Sequence, residues 1–116
     1  MPTTNLTLTV RDAAVGVRVI DISGEITSFS EQEISAAHDE AARGGVKAIV
    51  LNFEGLEYMN SGGIGLLVTT LIRAQRSGHQ LLAYGLSDHY RQIFSLTRLD
   101  EAIGIYEDEA AALAAV

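Results

Sequence analysis

The segment Tyr58-Met59-Asn60-Ser61-Gly62-Gly63-Ile64-Gly65 is the densest group of residues in this chain that could do chemistry. It follows an apolar run and opens a helical pattern. Gly62, Gly63 and Gly65 fall in the first turn, and each costs roughly 1 kcal/mol of helix propensity relative to alanine. Something must offset that cost, and close approach to the backbone by a partner, a ligand or a neighbouring element would do so. Three readings fit the residue types. Exposed N–H groups at a helix amino-terminus hold anions, including nucleotide phosphates. The segment, however, lacks the Lys-Ser/Thr pair of a P-loop and is not G-x-G-x-x-G. Alternatively, Ser61 is a phosphoacceptor, its hydroxyl exposed where the helix dipole tolerates an added dianion. The third reading is that Ser61 only caps the helix, serine being a preferred cap.

Elsewhere the chemistry is sparse. His38, His79 and His89 fall on separate predicted elements, none at a ligand spacing from a carboxylate, so no metal is expected. Solvated or core-edge positions suit them better. Cysteine is absent, which excludes disulfides, thiolate metal sites and cysteine nucleophiles. There is no Gly-x-Ser-x-Gly elbow and no visible acid-base pair or activated nucleophile, so neither an enzyme nor a cofactor is expected. The acidic run Glu107-Asp108-Glu109 reads as a solvated helix start.

The whole chain sets the bounds. Its 116 residues suit one domain over 1–116, large enough for a core of its own. Lys and Arg number 8 against 15 Asp and Glu, a net charge of −7 that argues against nucleic acid and anionic membrane surfaces as partners. An apolar share of 47% with a single proline argues against disorder. No stretch reaches the roughly 18–20 apolar residues of a membrane span. Met1-Pro2-Thr3-Thr4-Asn5 has no basic region leading into an apolar run, so no secretory leader is expected. A cytoplasmic domain, monomeric when free, is the simplest expectation.

The elements that must position the tip follow from periodicity. Leu6, Leu8 and Val10 alternate with threonines, Arg11 to Gly16 supplies a turn, and Val17 to Ile22 continues as a second strand that stops at Ser23-Gly24. The two form an antiparallel hairpin. Ser30 and Glu33 have capping-box spacing, with Phe29 and Ile34 as a hydrophobic staple. Ile34, Ala37, His38 and Ala41 share one helical face, and Gly44-Gly45 ends that helix. Ala48 to Leu51 reads as a central strand, and Asn52 to Asn60 as a loop. From Ser61 to about Ser77 runs a helix with Ile64, Leu67, Val68, Leu71 and Ile72 inward. Gly62, Leu66, Thr69 and Arg73 then face outward. Leu66 is either an ordinary exposed leucine or a docking contact. Leu81 to Tyr84 is a buried strand, Ser87 starts a helix with Tyr90, Ile93 and Phe94, and Ile103 to Tyr106 is a last strand before an alanine-rich helix. The order β-β-α-β-α-β-α-β-α implies parallel strands after the hairpin and a mixed α/β sheet of four to five strands with about four helices.

This order and this tip resemble the STAS domain, the family of bacterial anti-sigma factor antagonists. The resemblance is carried by Ile22-Ser23-Gly24-Glu25-Ile26, by Ile49 to Leu56, and by Tyr58 to Leu67. Ala83-Tyr84-Gly85-Leu86-Ser87 and Gln92 to Leu99 continue it. It implies the STAS fold and a non-catalytic, phosphorylation-switched binding module. Such a module, unmodified, sequesters an anti-sigma factor that is also a serine kinase of the histidine-kinase-like ATPase fold. The kinase phosphorylates the tip serine and the complex falls apart; a serine phosphatase resets it. Ser61 matches the acceptor. Glu25, Thr27, Ser28, Asn60, Gly62, Gly63, Leu66, Thr69 and Arg73 fall on the implied partner-binding face. Two residues depart from the pattern. Asn60 stands where the family usually has aspartate, and Thr27 stands where antagonists often carry aspartate. The resemblance also implies an alternative: an unphosphorylated STAS subunit of a transporter or of a stress or sensory complex.

Overall fold

A computed structural model describes residues 5–116. The opening Met1–Thr4, read above as no leader, lies outside the described residues. The elements are β1 (Leu6–Ala14), β2 (Val17–Ile26), α1 (Glu31–Ala41), β3 (Ala48–Met59), α2 (Ser61–Arg76), β4 (Gln80–Tyr84), α3 (Asp88–Leu96), β5 (Gly104–Tyr106) and α4 (Glu109–Ala114). Short 3-10 turns at Ser28–Ser30 and Leu99–Glu101 were not expected from periodicity.

The expected α/β architecture is present as one five-stranded sheet in the order β1-β2-β3-β4-β5. β1 and β2 are antiparallel, and every later pair is parallel. Strands laid down in sequence with right-handed crossovers put their helices on one face. Accordingly α1, α2 and α3 cover one side through Ala37, Ala41, Leu67, Leu71, Ala74, Tyr90 and Phe94. Ile20, Ile22, Ile49, Leu51 and Phe53 meet them from the sheet. The short α4 covers Val17, Val19, Ala48, Val50, Leu82 and Tyr84 on the other side. β3 alternates between the two cores residue by residue, as a central strand must.

Three strands run further than the sequence suggested: β1 continues through residues 11–14, where a turn is expected, because they pair with the start of β2. β2 does not stop at Ser23-Gly24, and residues 52–59 are strand rather than loop. The β2 and β3 extensions pair with each other up to Glu25↔Tyr58 and Ile26↔Met59, through two register shifts. Gly24 makes this possible: its φ is +105°, and a Cβ there would lie 1.9 Å from the Asn5 carbonyl oxygen. Paired backbone at a bulge carries little side-chain alternation, which is why the periodicity faded there.

The acidic run near the carboxyl end is more than a solvated helix start. Asp108 caps α4 by accepting from the Ala111 N–H at 2.8 Å. Glu109 pairs with Arg11, which also holds Asp21 at 2.7 Å. Tyr84 donates to Glu109 at 2.9 Å, and Asn52 donates to Asp21 at 2.8 Å. Arg11 thereby holds both carboxyls below their usual range, while burial pushes the Tyr84 phenol up. The network ties α4 to the sheet from β1, β2 and β3.

Candidate functional site

The tip of α2 sits at the carboxyl end of β3, and its neighbours hold it from three directions. The Asn60 N–H donates to the Ile26 carbonyl at 3.3 Å, carrying the pairing with β2 one residue past the strand. The Met59 N–H donates to the Tyr90 hydroxyl of α3 at 2.8 Å, a buried bond. The turn Ser28–Ser30 lies against the first turn of α2. The sequence pattern places Tyr90 only on a helix face, because nothing local reveals a hydroxyl bond reaching 31 residues back.

Gly62 and Gly63 now have a reason. A Cβ on Gly62 would lie 2.8 Å from the Ser28 Cβ and 3.0 Å from its N. On Gly63 it would lie 2.4 Å from the Ile26 oxygen and 2.8 Å from the Met59 Cγ. The close approach comes from a neighbouring element, the β2 end and its turn. Gly65 meets nothing within 4 Å.

Asn60, not Ser61, caps the helix. Its side-chain oxygen accepts from the Gly63 N–H at 2.9 Å, and its backbone is extended. Asn and Asp cap about equally well, so the departure from aspartate keeps the cap while removing a charge. Ser61 is the first helical residue and is exposed. Its hydroxyl makes no hydrogen bond among the described residues, so the reading of Ser61 as the cap is corrected.

Two further expectations at the site also change. Ser30 starts α1 without a side-chain cap bond. Instead Thr27 and Ser30 cap each other across the 3-10 turn: Thr27 Oγ1 accepts from the Phe29 N–H, and Ser30 Oγ accepts from the Thr27 N–H at 3.0 Å. Phe29 is 67% exposed and staples nothing. Second, the buried stripe of α2 is Gly63, Leu67, Thr70, Leu71 and Ala74. Val68 and Ile72 are exposed rather than inward. The stripe is turned because α1 flanks α2 as well as the sheet beneath it. Leu66 is therefore half-buried and lines a groove against Glu31, Ile34 and Ser35 of α1. Arg73, expected outward, is tethered to α1 by Ser35 at 3.0 Å and by Asp39. Thr69 is exposed as expected.

The structure thus brings Glu25, Thr27, Ser28, Asn60, Ser61, Gly62 and Gly63 together around one tip. Leu66, Thr69 and Arg73 extend that surface along the α1–α2 groove. Of the histidines, His89 is exposed, whereas His38 is buried between α1 and the sheet with both ring nitrogens unpaired. Burial, reinforced by the Arg73 charge, lowers its pKa. Among the described residues, no three His, Cys, Asp or Glu side chains converge as a metal site would require. No helix among them is long and apolar enough to cross a membrane.

The STAS domain family model matches residues 8–112. The chain belongs to the STAS domain family. It is 28% identical over 103 residues to the anti-sigma-B factor antagonist of Staphylococcus aureus (strain NCTC 8325 / PS 47), covering 89% of this chain and 93% of that protein. The solved anti-sigma factor antagonist from Mycobacterium paratuberculosis superposes with a TM-score of 0.78 at 27% identity, covering 97% of this chain and 94% of that one. A sulfate transporter family protein from Wolinella succinogenes shares the fold, with a TM-score of 0.76 at 20% identity over 90% of this chain and 87% of that one. The STAS fold and the family expected from the element order and the tip are therefore both shown, and proteins named as anti-sigma factor antagonists are among the relatives the chain resembles.

Proposed function

We propose that this STAS domain is an anti-sigma factor antagonist, a cytoplasmic binding module without catalytic activity, switched by phosphorylation of Ser61. Unmodified, it sequesters an anti-sigma factor that is also a serine kinase of the histidine-kinase-like ATPase fold. The kinase transfers the γ-phosphoryl of ATP to Ser61 Oγ, releasing ADP and a proton, and a serine phosphatase reverses the modification. The observation that carries this reading is the unengaged, exposed Ser61 hydroxyl on the first turn of α2, left free because Asn60 takes the capping role. Kinship with the staphylococcal antagonist supports it.

The switch needs no rearrangement of the fold. A phosphate adds roughly −1.5 to −2 charge and several acceptor oxygens at neutral pH. The braced tip holds that group at the surface where a partner must seat. A change of about 3 kcal/mol there is more than a hundredfold in affinity.

The test uses wild type, Ser61→Ala and Ser61→Asp as baits in lysate of the native host, followed by phosphorylation assays with ATP and the captured ATP-binding kinase. Wild type and Ser61→Ala should hold the kinase and Ser61→Asp should lose it, with label entering wild type alone. Equal capture by all three baits, without label, would sink the switch. It would point instead to a constitutive STAS subunit, the arrangement that the shared fold of the transporter family protein brings to mind.

A further inference from the structure

We infer that the outward line Ser61, Gly65, Val68 and Ile72 of α2 is the seat of an amphipathic helix of the anti-sigma factor, and that this helix carries a carboxylate where the line ends at Arg76. This rests on the docking role proposed above and adds the surface, the shape and the charge of what docks there.

The helix α2 has three sides with different surroundings. Gly63, Leu67, Thr70, Leu71 and Ala74 are buried toward the sheet. Leu66 and Arg73 are turned to α1, where Leu66 lines the groove with Glu31 and Arg73 is held by Ser35 at 3.0 Å and by Asp39. Ser61, Gly65, Val68 and Ile72 recur at intervals of four, three and four residues. At about 100° per residue they form one line on the remaining side. All four are exposed. Val68 at 37% and Ile72 at 43% are branched apolar side chains one turn apart in water. Arg76, four residues on, closes the line at its far end.

Gly65 is the glycine that the fold does not explain. Gly62 and Gly63 are pressed by Ser28, Ile26 and Met59, but a Cβ at Gly65 would meet nothing within 4 Å. An exposed helix position without such a contact is better served by alanine. Between the acceptor serine and two branched side chains, a glycine leaves a notch that a second backbone can approach closely. A helix laid along this side meets the notch and takes Val68 and Ile72 as its apolar contacts. The line from Ser61 to Ile72 is about 16 Å long at 1.5 Å per residue, which matches about three turns of the occupant.

Charge sets the polarity of the occupant. From Ser61 to Arg76, α2 contains no Asp or Glu, in a chain of net charge −7. Its two cations are not equivalent. Arg73 is paired with Asp39 of α1, whereas Arg76 is exposed at the end of the outward line. The complement is a helix that is apolar along its middle and acidic where it reaches Arg76. Such an occupant also accounts for release. A phosphate on Ser61, or the carboxylate of Ser61→Asp, would be pressed against an apolar surface and lose its water without gaining a cation.

The test measures binding kinetics against the purified ATP-binding serine kinase captured by the Ser61 baits. The variants are Val68→Gln, Ile72→Gln, Gly65→Ala, Arg76→Glu, Ser61→Asp, and Val15→Ser as an exposed control in the β1–β2 turn. Urea unfolding confirms that each is folded. Val68→Gln and Ile72→Gln should each weaken binding about tenfold, chiefly through faster dissociation, with Val15→Ser unchanged. Gly65→Ala separates docking from folding, because the added methyl meets nothing in the free domain. It should unfold at higher urea than wild type and yet bind about fivefold more weakly. Arg76→Glu should slow association and flatten its salt dependence. Hydrogen exchange on the kinase should show protection, in the complex, of a helix with an apolar stripe and a carboxylate. If Ser61→Asp abolishes binding while Val68→Gln, Ile72→Gln and Gly65→Ala bind like wild type, the seat is refuted and the docking reading survives. Protection of a loop or a strand edge in place of a helix overturns the occupant, and association indifferent to salt and to Arg76→Glu overturns its carboxylate. If no kinase binds or modifies Ser61, the docking reading fails and this inference fails with it.

Discussion

Replacing the three glycines of the α2 tip one at a time by alanine separates helix propensity from packing. All three lie in helical backbone, so propensity alone stabilises each variant by about 1 kcal/mol. Gly65 has open space where the new methyl would go, and Gly65→Ala should show nearly the full gain. On Gly63 the methyl would lie 2.4 Å from the Ile26 carbonyl oxygen and 2.8 Å from the Met59 Cγ. The Met59 side chain can move, but the carbonyl belongs to a paired strand and cannot turn away. Overpacking of this kind costs typically 1–3 kcal/mol, with backbone contacts at the upper end. The net for Gly63→Ala is then a loss of about 2 kcal/mol, after crediting about 1 kcal/mol of propensity. Gly62 meets the Cβ and N of Ser28 at 2.8 and 3.0 Å. Its turn carries only three residues and can shift slightly, so Gly62→Ala should fall between the other two. Urea unfolding reads these values directly, since a slope of about 1–2 kcal/mol/M turns 1 kcal/mol into a midpoint shift of about 0.5–1 M. The order Gly65→Ala above wild type, then Gly62→Ala, then Gly63→Ala is the expected result. If Gly63→Ala is as stabilising as Gly65→Ala, the β2 end does not brace the tip and the explanation of the glycines is wrong.

Three further outcomes can be checked on the same preparations. Asn60→Ala should lose about 1 kcal/mol in urea unfolding as the cap disappears, whereas Ser61→Ala should lie within a few tenths of wild type; the reverse would return the cap to Ser61. His38 has an ordinary pKa of 6.5 that burial lowers in the fold, so the unfolded chain binds the extra proton. Stability should then be full above about pH 7 and decline as pH falls below 6.5, and unfolding titrations of His38→Leu should show that part of the slope removed. Asp21 and Glu109 are held below their ordinary values of 3.8 and 4.5 by Arg11. Their contribution is present above those values and lost as pH falls beneath them. Arg11→Met should flatten that acid limb, and an unchanged limb would mean that the network adds nothing to stability.

The strands and helices with a clear apolar period were legible: the first half of β1, β4, α3 and the body of α2 fall close to where alternation and the 3.6-residue repeat put them. What escaped was structure held by distant partners. The last residues of β3 pair with a bulged β2 and carry no alternation to read. Val68 and Ile72 fit an apolar stripe on paper, but α1 flanks α2 and turns the buried face toward Leu67, Thr70, Leu71 and Ala74. Glu109 looked solvated because Arg11, 98 residues away, is invisible to local pattern. At the site, Ser61 was legible as a chemical group, but its capping and acceptor readings stayed open, since serine and asparagine compete for the cap and only geometry decides between them.

That competition bears on what Asn60 does for the switch proposed above. A capping residue and a phosphoacceptor next to each other divide two tasks that one serine cannot perform together. A serine that caps has its oxygen engaged with a backbone N–H, which makes it a less available acceptor for a kinase. With Asn60 accepting from Gly63 at 2.9 Å, the helix start is secured independently of Ser61. The same fold can then present an alcohol or a phosphate at one fixed place. The aspartate usual at this position would secure the cap equally well and stabilise the helix dipole by about 0.3–1 kcal/mol more. It would also put a negative charge beside the alcohol that, in the proposed switch, receives a phosphoryl group. Asparagine keeps the geometry and omits that charge, so its effect falls on recognition of Ser61 and not on the fold that presents it.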